Sequence, residues 1–104
     1  MIKLLEGKTI MVTGGSRGIG RAIVETSVEN GAVGGFTYLN SEKKSRELEK
    51  KLGDSCIALK ADSADRNELE GAVFRFLENV SSNQIDGLVI NAGLYKRSPF
   101  NEME

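Results

Sequence analysis

Hydrophobic and polar positions follow two periodicities along the chain. Short runs of β-branched and apolar residues predict four buried strands. Between the strands, apolar residues spaced three and four apart predict amphipathic helices. The predicted strands are Lys8–Thr13, Ala32–Leu39, Cys56–Ala61 and Asp86–Asn91, and the predicted helices are Gly18–Asn30, Ser41–Leu52 and Asp62–Val80. Gly31 and Gly53 are the signals that end the first two helices.

This strict alternation of strand and helix predicts the topology. Strands joined through helical crossovers lie parallel, and continuous apolar strands such as Leu88-Val89-Ile90 are typical of a sheet covered on both faces. Right-handed crossovers then give the strand order 3-2-1-4. The sequence therefore predicts an α/β fold with a parallel sheet of about four strands, helices on both faces, and one domain over residues 1–104.

Two glycines interrupt the second predicted strand. Gly34 and Gly35 have no side chains to pack and are flexible in the unfolded chain. We expect them to weaken this strand by about 1 kcal/mol.

Composition excludes several classes of function. The 14 basic and 15 acidic residues give a net charge of −1, which offers no electrostatic reason to bind nucleic acid or a membrane surface. No apolar run is long enough to span a membrane, and the first residues are too quickly charged for a signal peptide. A single cysteine, Cys56, predicts a reducing, cytoplasmic compartment. The absence of histidine from the sequence argues against a metal site.

The strongest local signal is a glycine-rich turn between the first strand and the first helix. It reads Thr13-Gly14-Gly15-Ser16-Arg17-Gly18-Ile19-Gly20. At such a position backbone N–H groups and the helix dipole favour the phosphates of a nucleotide, and glycine lets the backbone approach them. The alternative is a tight strand-to-helix turn in which small residues serve packing alone.

This turn resembles the cofactor motif of the short-chain dehydrogenase/reductase family, and in this stretch it is most like the 3-oxoacyl-acyl-carrier-protein reductases. Two further matches follow, Asp62-Ser63 after the third strand and Asn91-Ala92-Gly93 after the fourth. The resemblance covers nearly the whole chain and implies a partial Rossmann fold. The cofactor-binding residues that it and the loop chemistry indicate are Gly14, Ser16, Arg17, Gly18, Ile19, Gly20, Asn40, Ser41, Asp62, Ser63, Asn91, Ala92 and Gly93.

Two of these matches have structural alternatives. In the family the acidic position contacts adenine, but Asp62 could instead cap the third helix, and both roles are compatible. Asn91-Ala92-Gly93, which in the family supports the central sheet beside the cofactor, could be an ordinary turn that ends a strand.

The loop after the second strand indicates which nicotinamide cofactor is used. NAD-binding domains usually place a carboxylate there to bind the ribose 2′-hydroxyl. Here the loop contains Asn40 and Ser41 instead, and Arg17 in the glycine turn could pair with a 2′-phosphate. We therefore expect NADP rather than NAD, although Arg17 could be a solvated surface charge and the nearby Glu42 weakens the case.

The family's catalytic residues have no counterpart in these 104 residues. Family members reduce carbonyls with a Tyr-x-x-x-Lys pair and a preceding serine. Glu42 lies four residues after Tyr38, and Pro99 lies four residues after Tyr95. We therefore expect no catalytic residue and no substrate pocket in this stretch, since the family places both after its fourth strand.

A fourth strand without an outer neighbour would present an apolar edge. We expect this edge to promote homo-oligomerisation or docking onto a missing C-terminal half. Three functions remain open: the cofactor-binding part of an NADP-dependent ketoreductase, a non-catalytic nucleotide-binding or interaction module, and a truncated remnant that still folds.

Overall fold

The computed structural model describes residues 3–14, 18–81 and 83–91. Within them four parallel strands form one sheet in the order β3-β2-β1-β4, which confirms the predicted topology. The strands are β1 (Thr9–Val12), β2 (Val33–Tyr38), β3 (Cys56–Lys60) and β4 (Gly87–Val89), and the helices are α1 (Gly18–Glu29), α2 (Glu42–Leu52) and α3 (Arg66–Glu78).

The helices cover both faces of the sheet, because side chains alternate along each strand. On one face, Val24 of α1 and Leu48 of α2 pack against the sheet with Val12 and Phe36. On the other, Phe76 of α3 packs with Met11. The predicted three-layer arrangement is therefore confirmed.

The glycines of β2 make room for neighbouring side chains. A Cβ at Gly35 would lie 2.5 Å from Cε1 of the fully buried Phe76 ring, and a Cβ at Gly34 would lie 3.2 Å from a methyl group of Val28. We expected these glycines only to weaken the strand. That expectation omitted a compensating gain, since Gly35 lets the aromatic ring pack directly on the backbone of a central strand.

Glycine also ends the first two helices, as the sequence predicted. After α1, Gly31 has a φ of +99°, its N–H donates to the carbonyl of Val28, and the N–H of Ala32 donates to that of Ser27. These two bonds form a Schellman motif. After α2, Gly53 has a φ of +75° and donates to the carbonyl of Glu49.

The start of α3 differs from the sequence prediction. The helix begins at Arg66 rather than Asp62, because Asp65 is its N-cap and accepts hydrogen bonds from the N–H groups of Asn67 and Glu68. Asp62 accepts a bond from the N–H of Ala64 and so forms a turn before the helix. The alternative in which Asp62 caps α3 is therefore wrong.

The two edge strands differ in their surroundings. At β3, the Glu49 carboxylate accepts a 2.8 Å hydrogen bond from the N–H of Ala58, and the Arg75 guanidinium donates a 3.0 Å bond to the carbonyl of Lys60. At β4, the side chains of Leu88 and Ile90 are 51% and 61% exposed. Among residues 3–14, 18–81 and 83–91, no strand lies on the outer side of β4.

Candidate functional site

The predicted site residues that the structure describes collect at one edge of the sheet, because the carboxyl ends of parallel strands meet there. Six of the nine follow β1, β2, β3 and β4 respectively: Gly14; Asn40 and Ser41; Asp62 and Ser63; Asn91. The other three, Gly18, Ile19 and Gly20, begin α1. The chain moves outward from β1 to β2 and β3 and then returns to β4 on the other side of β1. This is a topological switch point, the position where open α/β sheets bind ligands. Ser16, Arg17, Ala92 and Gly93 lie outside the described residues.

Gly14 is held from both sides as it leaves β1. Its φ of +69° lies in the left-handed region that favours glycine. Its N–H donates a 2.9 Å hydrogen bond to Thr37 Oγ1 on β2, and its carbonyl accepts a 3.2 Å bond from Asn91 Nδ2 after β4. Both peptide groups that flank its Cα are therefore fixed.

At the start of α1, glycine is required by backbone conformation. Gly18 has a φ of +64°, and a Cβ added there would meet no atom of residues 3–14, 18–81 or 83–91 within 4 Å. Its neighbour Ile19 is 73% exposed, whereas Gly20 is buried. Packing within the described residues therefore gives no reason for the glycine at position 18.

The first turn of α1 also differs from those of the other two helices. From Gly18 onward it carries no acidic residue, whereas α2 begins with Glu42 and α3 has Glu68 in its first turn. The partial positive charge of the α1 N-terminus is therefore not neutralised by a carboxylate in the described part of its first turn. This is the arrangement that an anionic ligand requires.

The loop after β2 presents polar, uncharged groups. Asn40 is exposed, and Ser41 begins α2 without a hydrogen bond from its side chain to the first turn. The nearest carboxylate, Glu42, lies 3.8 Å from the Arg46 guanidinium on the next turn. The acid that weakened the sequence argument therefore belongs to an ion pair on the surface of α2.

After β3, Asp62 and Ser63 are half-buried. The N–H of Asp62 donates a 2.8 Å hydrogen bond to the Glu68 carboxylate, while the Asp62 carboxylate accepts from Ala64. Asp62 thus fixes a turn at the carboxyl end of β3. Its predicted contact with adenine stays a prediction.

Thr13 and Thr37 hold residues of the candidate site in place through hydrogen bonds, and the sequence analysis gave neither of them a role. Thr13 accepts a 2.9 Å hydrogen bond from the N–H of Asn91, and Thr37 accepts the bond from Gly14. The sequence feature that could have indicated this role is a threonine near the end of each of the first two strands. Its meaning depends on strand register, which periodicity does not give.

Tyr38 and Cys56 are both buried in the core of the fold. Tyr38 is buried, and its hydroxyl accepts a 3.1 Å hydrogen bond from Arg46, whose guanidinium lies 5.7 Å from the ring centroid. Burial raises the pKa of the Cys56 thiol to about 12, with a further contribution from the charge of Glu49.

Within the described residues no group of three or more Asp, Glu, Cys or His side chains could hold a metal ion, and no helix could span a membrane.

Comparisons with known proteins agree with this geometry. The family model for short chain dehydrogenases matches residues 8–104. A cyclic-di-GMP-binding biofilm dispersal mediator protein of Escherichia coli is 41% identical over 88 residues, which cover 85% of this chain and 34% of that protein. A 3-oxoacyl-[acyl-carrier-protein] reductase of Salmonella typhimurium is 40% identical over 93 residues, which cover 86% and 35%.

A solved structure gives the same picture. A short-chain dehydrogenase from Burkholderia cenocepacia in complex with NADP superposes with a TM-score of 0.79 at 37% identity and covers 90% of this chain and 39% of that one. The chain thus spans between a third and two fifths of the length of these relatives. Two relatives with different described functions match almost equally well, so identity alone does not select an activity.

Proposed function

The chain belongs to the short-chain dehydrogenase/reductase family, and from this premise we propose that residues 1–104 form the NADP(H)-binding part of a carbonyl reductase of the 3-oxoacyl type. The observation that carries the proposal is the end of β1, where a doubly anchored Gly14 leads into a helix whose first turn carries no carboxylate from Gly18 onward. When bound, the nicotinamide supplies hydride chemistry.

The residues present fit the cofactor's phosphates. The N-terminus of α1 favours negative charge, and glycine at position 18 leaves space above the backbone. Ile19, exposed beside this helix start, offers an apolar contact to the bound dinucleotide. On the other side of the switch point, Asn91 keeps β4 against the turn and, with Ala92 and Gly93, borders the cofactor.

We propose NADP rather than NAD because of the loop after β2. Asn40 and Ser41 offer hydrogen bonds to a 2′-phosphate, Glu42 is paired with Arg46, and Arg17 supplies the positive charge. Asp62 and Ser63 border the adenine side at the end of β3. The NADP complex of the Burkholderia cenocepacia relative supports this choice.

Reduction of a carbonyl requires residues from outside this stretch. No lysine follows either tyrosine at the family spacing, and Tyr38 is buried under Arg46. We propose that a Tyr-x-x-x-Lys pair and its serine come from a further segment or chain, and that β4 forms the contact surface for it or for a second copy. We also propose a cytoplasmic location, on the single buried cysteine.

The test is a calorimetric titration of the chain with NADPH and then with NADH. We expect NADPH to bind more tightly, and Arg17→Ala to reduce that preference by about tenfold because it removes a charged partner of the 2′-phosphate. Arg21→Ala is the matched control, since Arg21 lies one turn further on and pairs with Glu25 at 3.2 Å. Equal affinity for both cofactors would contradict the NADP assignment, and no binding of either would favour a folded remnant.

A second candidate is nucleotide binding without chemistry. The observation that favours it is the 41% identity to a relative described as binding cyclic-di-GMP, which is also a phosphate-bearing nucleotide. Competition titrations decide between the two. Cyclic-di-GMP binding that NADPH does not displace supports the second candidate, and NADPH binding that cyclic-di-GMP leaves unchanged supports the first.

A further inference from the structure

We infer that Thr37 is a positioning residue of the cofactor turn: its buried hydroxyl fixes Gly14 in the conformation that delivers the chain to α1. This inference rests on the proposed function, because it assigns a residue outside the glycine motif to the same site. Thr37 lies in β2, 23 residues beyond Gly14 in sequence.

The position of Thr37 follows from strand register. Val12 of β1 pairs with Phe36 of β2, so the next residues along the two strands are Thr13 and Thr37. Phe36 and Tyr38 pack on the face covered by α1 and α2, and alternation therefore turns Thr37 toward the opposite face. There its side chain is 1% exposed and lies beside the point where the chain leaves β1.

The Thr37 hydroxyl accepts the N–H of Gly14 at a point where strand pairing no longer provides a backbone acceptor. The described β1–β2 pairing ends at Val12 and Phe36, so the N–H of Gly14 lies beyond the last paired residues. Gly14 is buried, and an unpaired buried N–H is costly. Thr37 Oγ1 accepts this N–H at 2.9 Å, and so satisfies the group while drawing the backbone toward β2.

Gly14 needs this restraint because glycine adopts positive and negative φ about equally readily. The bond from Asn91 fixes the peptide group after its Cα, and the bond to Thr37 fixes the one before it. With only one of them, the residue could rotate and redirect the turn. Fixing the turn before ligand arrives lowers the entropy cost of binding.

The experiment measures NADPH affinity by calorimetry for the wild-type chain and three variants, and thermal unfolding for each. Thr37→Val keeps the shape and removes the acceptor, so we expect binding about five- to twentyfold weaker. Thr37→Ser keeps the hydroxyl, so we expect affinity within about threefold of wild type. Thr9→Val is the matched control, because Thr9 is buried at the opposite end of the sheet, and we expect its affinity to be unchanged.

The control separates positioning from stability. A purely structural Thr37 would lower the unfolding temperature without weakening binding well below that temperature, and Thr37→Ser would give no selective rescue. Thr37→Val binding as tightly as wild type, or Thr37→Ser binding as weakly as Thr37→Val, would overturn the inference. If the wild-type chain binds neither NADPH nor NADH, the proposed function is wrong and the inference fails with it.

If Thr37→Val does not fold, Thr37→Cys tests whether the Thr37 hydroxyl positions Gly14. Thr37→Cys keeps a side chain of similar size with a weaker acceptor, and we expect it to bind NADPH more weakly than both wild type and Thr37→Ser. Hydrogen exchange then reports on the bond itself. We expect slow exchange of the Gly14 amide in the unliganded wild type and faster exchange in Thr37→Cys, and fast exchange in the wild type would overturn the inference.

Discussion

The sheet has two edges built in opposite ways. At β3, side chains from helices on opposite faces reach the strand, Glu49 from α2 to the N–H of Ala58 and Arg75 from α3 to the carbonyl of Lys60. At β4, a strand of three residues, Leu88 and Ile90 present apolar side chains to the surface. Exposed strand edges pair readily with other chains unless charge or side-chain cover prevents it. The β3 edge has that protection, whereas the described surroundings of β4 are suited to further contacts.

The contrast concerns how the outer side of each edge strand is covered within the described residues. The side chains that hydrogen-bond to the outer edge of β3, Glu49 and Arg75, belong to α2 and α3 of this chain. What would cover Leu88 and Ile90 must come from another segment or another copy. The four predictions below test this difference, from the largest expected effect to the smallest.

The largest effect concerns Cys56, which begins β3. Because burial raises its pKa from 9.0 to about 12, the thiolate at about pH 8 should be roughly a thousandfold scarcer than in the unfolded chain. We expect alkylation by iodoacetamide to slow accordingly relative to the chain in urea, with a cysteine-containing peptide as the control for the reagent. A folded-state rate close to that of the unfolded chain would show that the β3 edge opens freely.

The second prediction concerns the β4 edge. We expect the wild-type chain to self-associate, and Leu88→Lys/Ile90→Lys to weaken association by about tenfold or more, because charge on an edge opposes pairing and the apolar contact is lost. Sedimentation velocity over a concentration series measures this. Leu4→Lys is the control, since Leu4 is also apolar and more exposed, and it precedes Leu5, whose N–H donates to the carbonyl of Asn30 after α1. A wild-type chain that stays monomeric at all concentrations would contradict the prediction.

The third prediction removes part of the protection at β3. Glu49→Ala leaves the N–H of Ala58 without its acceptor and should lower the free energy of unfolding by about 1 kcal/mol. Urea denaturation measures it. Glu47→Ala, an exposed position two residues earlier on α2, should leave the value nearly unchanged. An equal loss in both variants would mean that removal of a negative charge from α2, rather than loss of the edge contact, is responsible.

The smallest effect is a pH dependence at Asp86, beside β4. Hydrogen bonds to its carboxylate, first from the N–H of Thr9 and then from Gln84, lower its pKa below 3.8. A lowered pKa in the folded state contributes stability above about pH 4 that is lost as the pH falls through the folded value. We expect Asp86→Asn to be less stable than wild type near about pH 7, and this difference to shrink as the pH falls below about 4.

Asp54→Asn, on the turn before β3, is the control for the pH series. Urea denaturation of Asp54→Asn at the same pH values measures what the loss of an exposed carboxylate away from β4 does by itself. If the difference between Asp86→Asn and wild type does not change with pH, the bond to Thr9 does not depend on the charge of the carboxylate.

Sequence patterns predicted the topology because helix and strand alternate strictly and crossovers have one hand. They also predicted the ends of α1 and α2, since Gly31 and Gly53 supply the positive φ needed there. The predicted start of α3 was wrong because Asp62 and Asp65 are equally suitable N-cap residues when only the sequence is considered. The packing of Phe76 on Gly35 joins residues 41 positions apart in sequence, and periodicity does not reveal such a contact.

For the candidate site, the sequence indicated which residues follow the strands, and the structure brings six of them to one edge. It gave no role to Thr13 or Thr37, because their hydrogen bonds depend on strand register. The roles of all thirteen residues in cofactor binding, including Ser16 and Arg17, stay predictions.

The pairing of the last strand with the first has a consequence for the order of folding. β4 joins β1 across 77 residues, whereas β1 pairs with β2 and β2 with β3 over much shorter separations. Closing the longer loop costs more entropy and slows folding. During synthesis β1, β2 and β3 leave the ribosome one after another, and β4 follows only after α3. We expect pulse-labelling hydrogen exchange to find amides of β2 protected before those of β4, so the cofactor turn receives its bond from Asn91 only in the final step of folding.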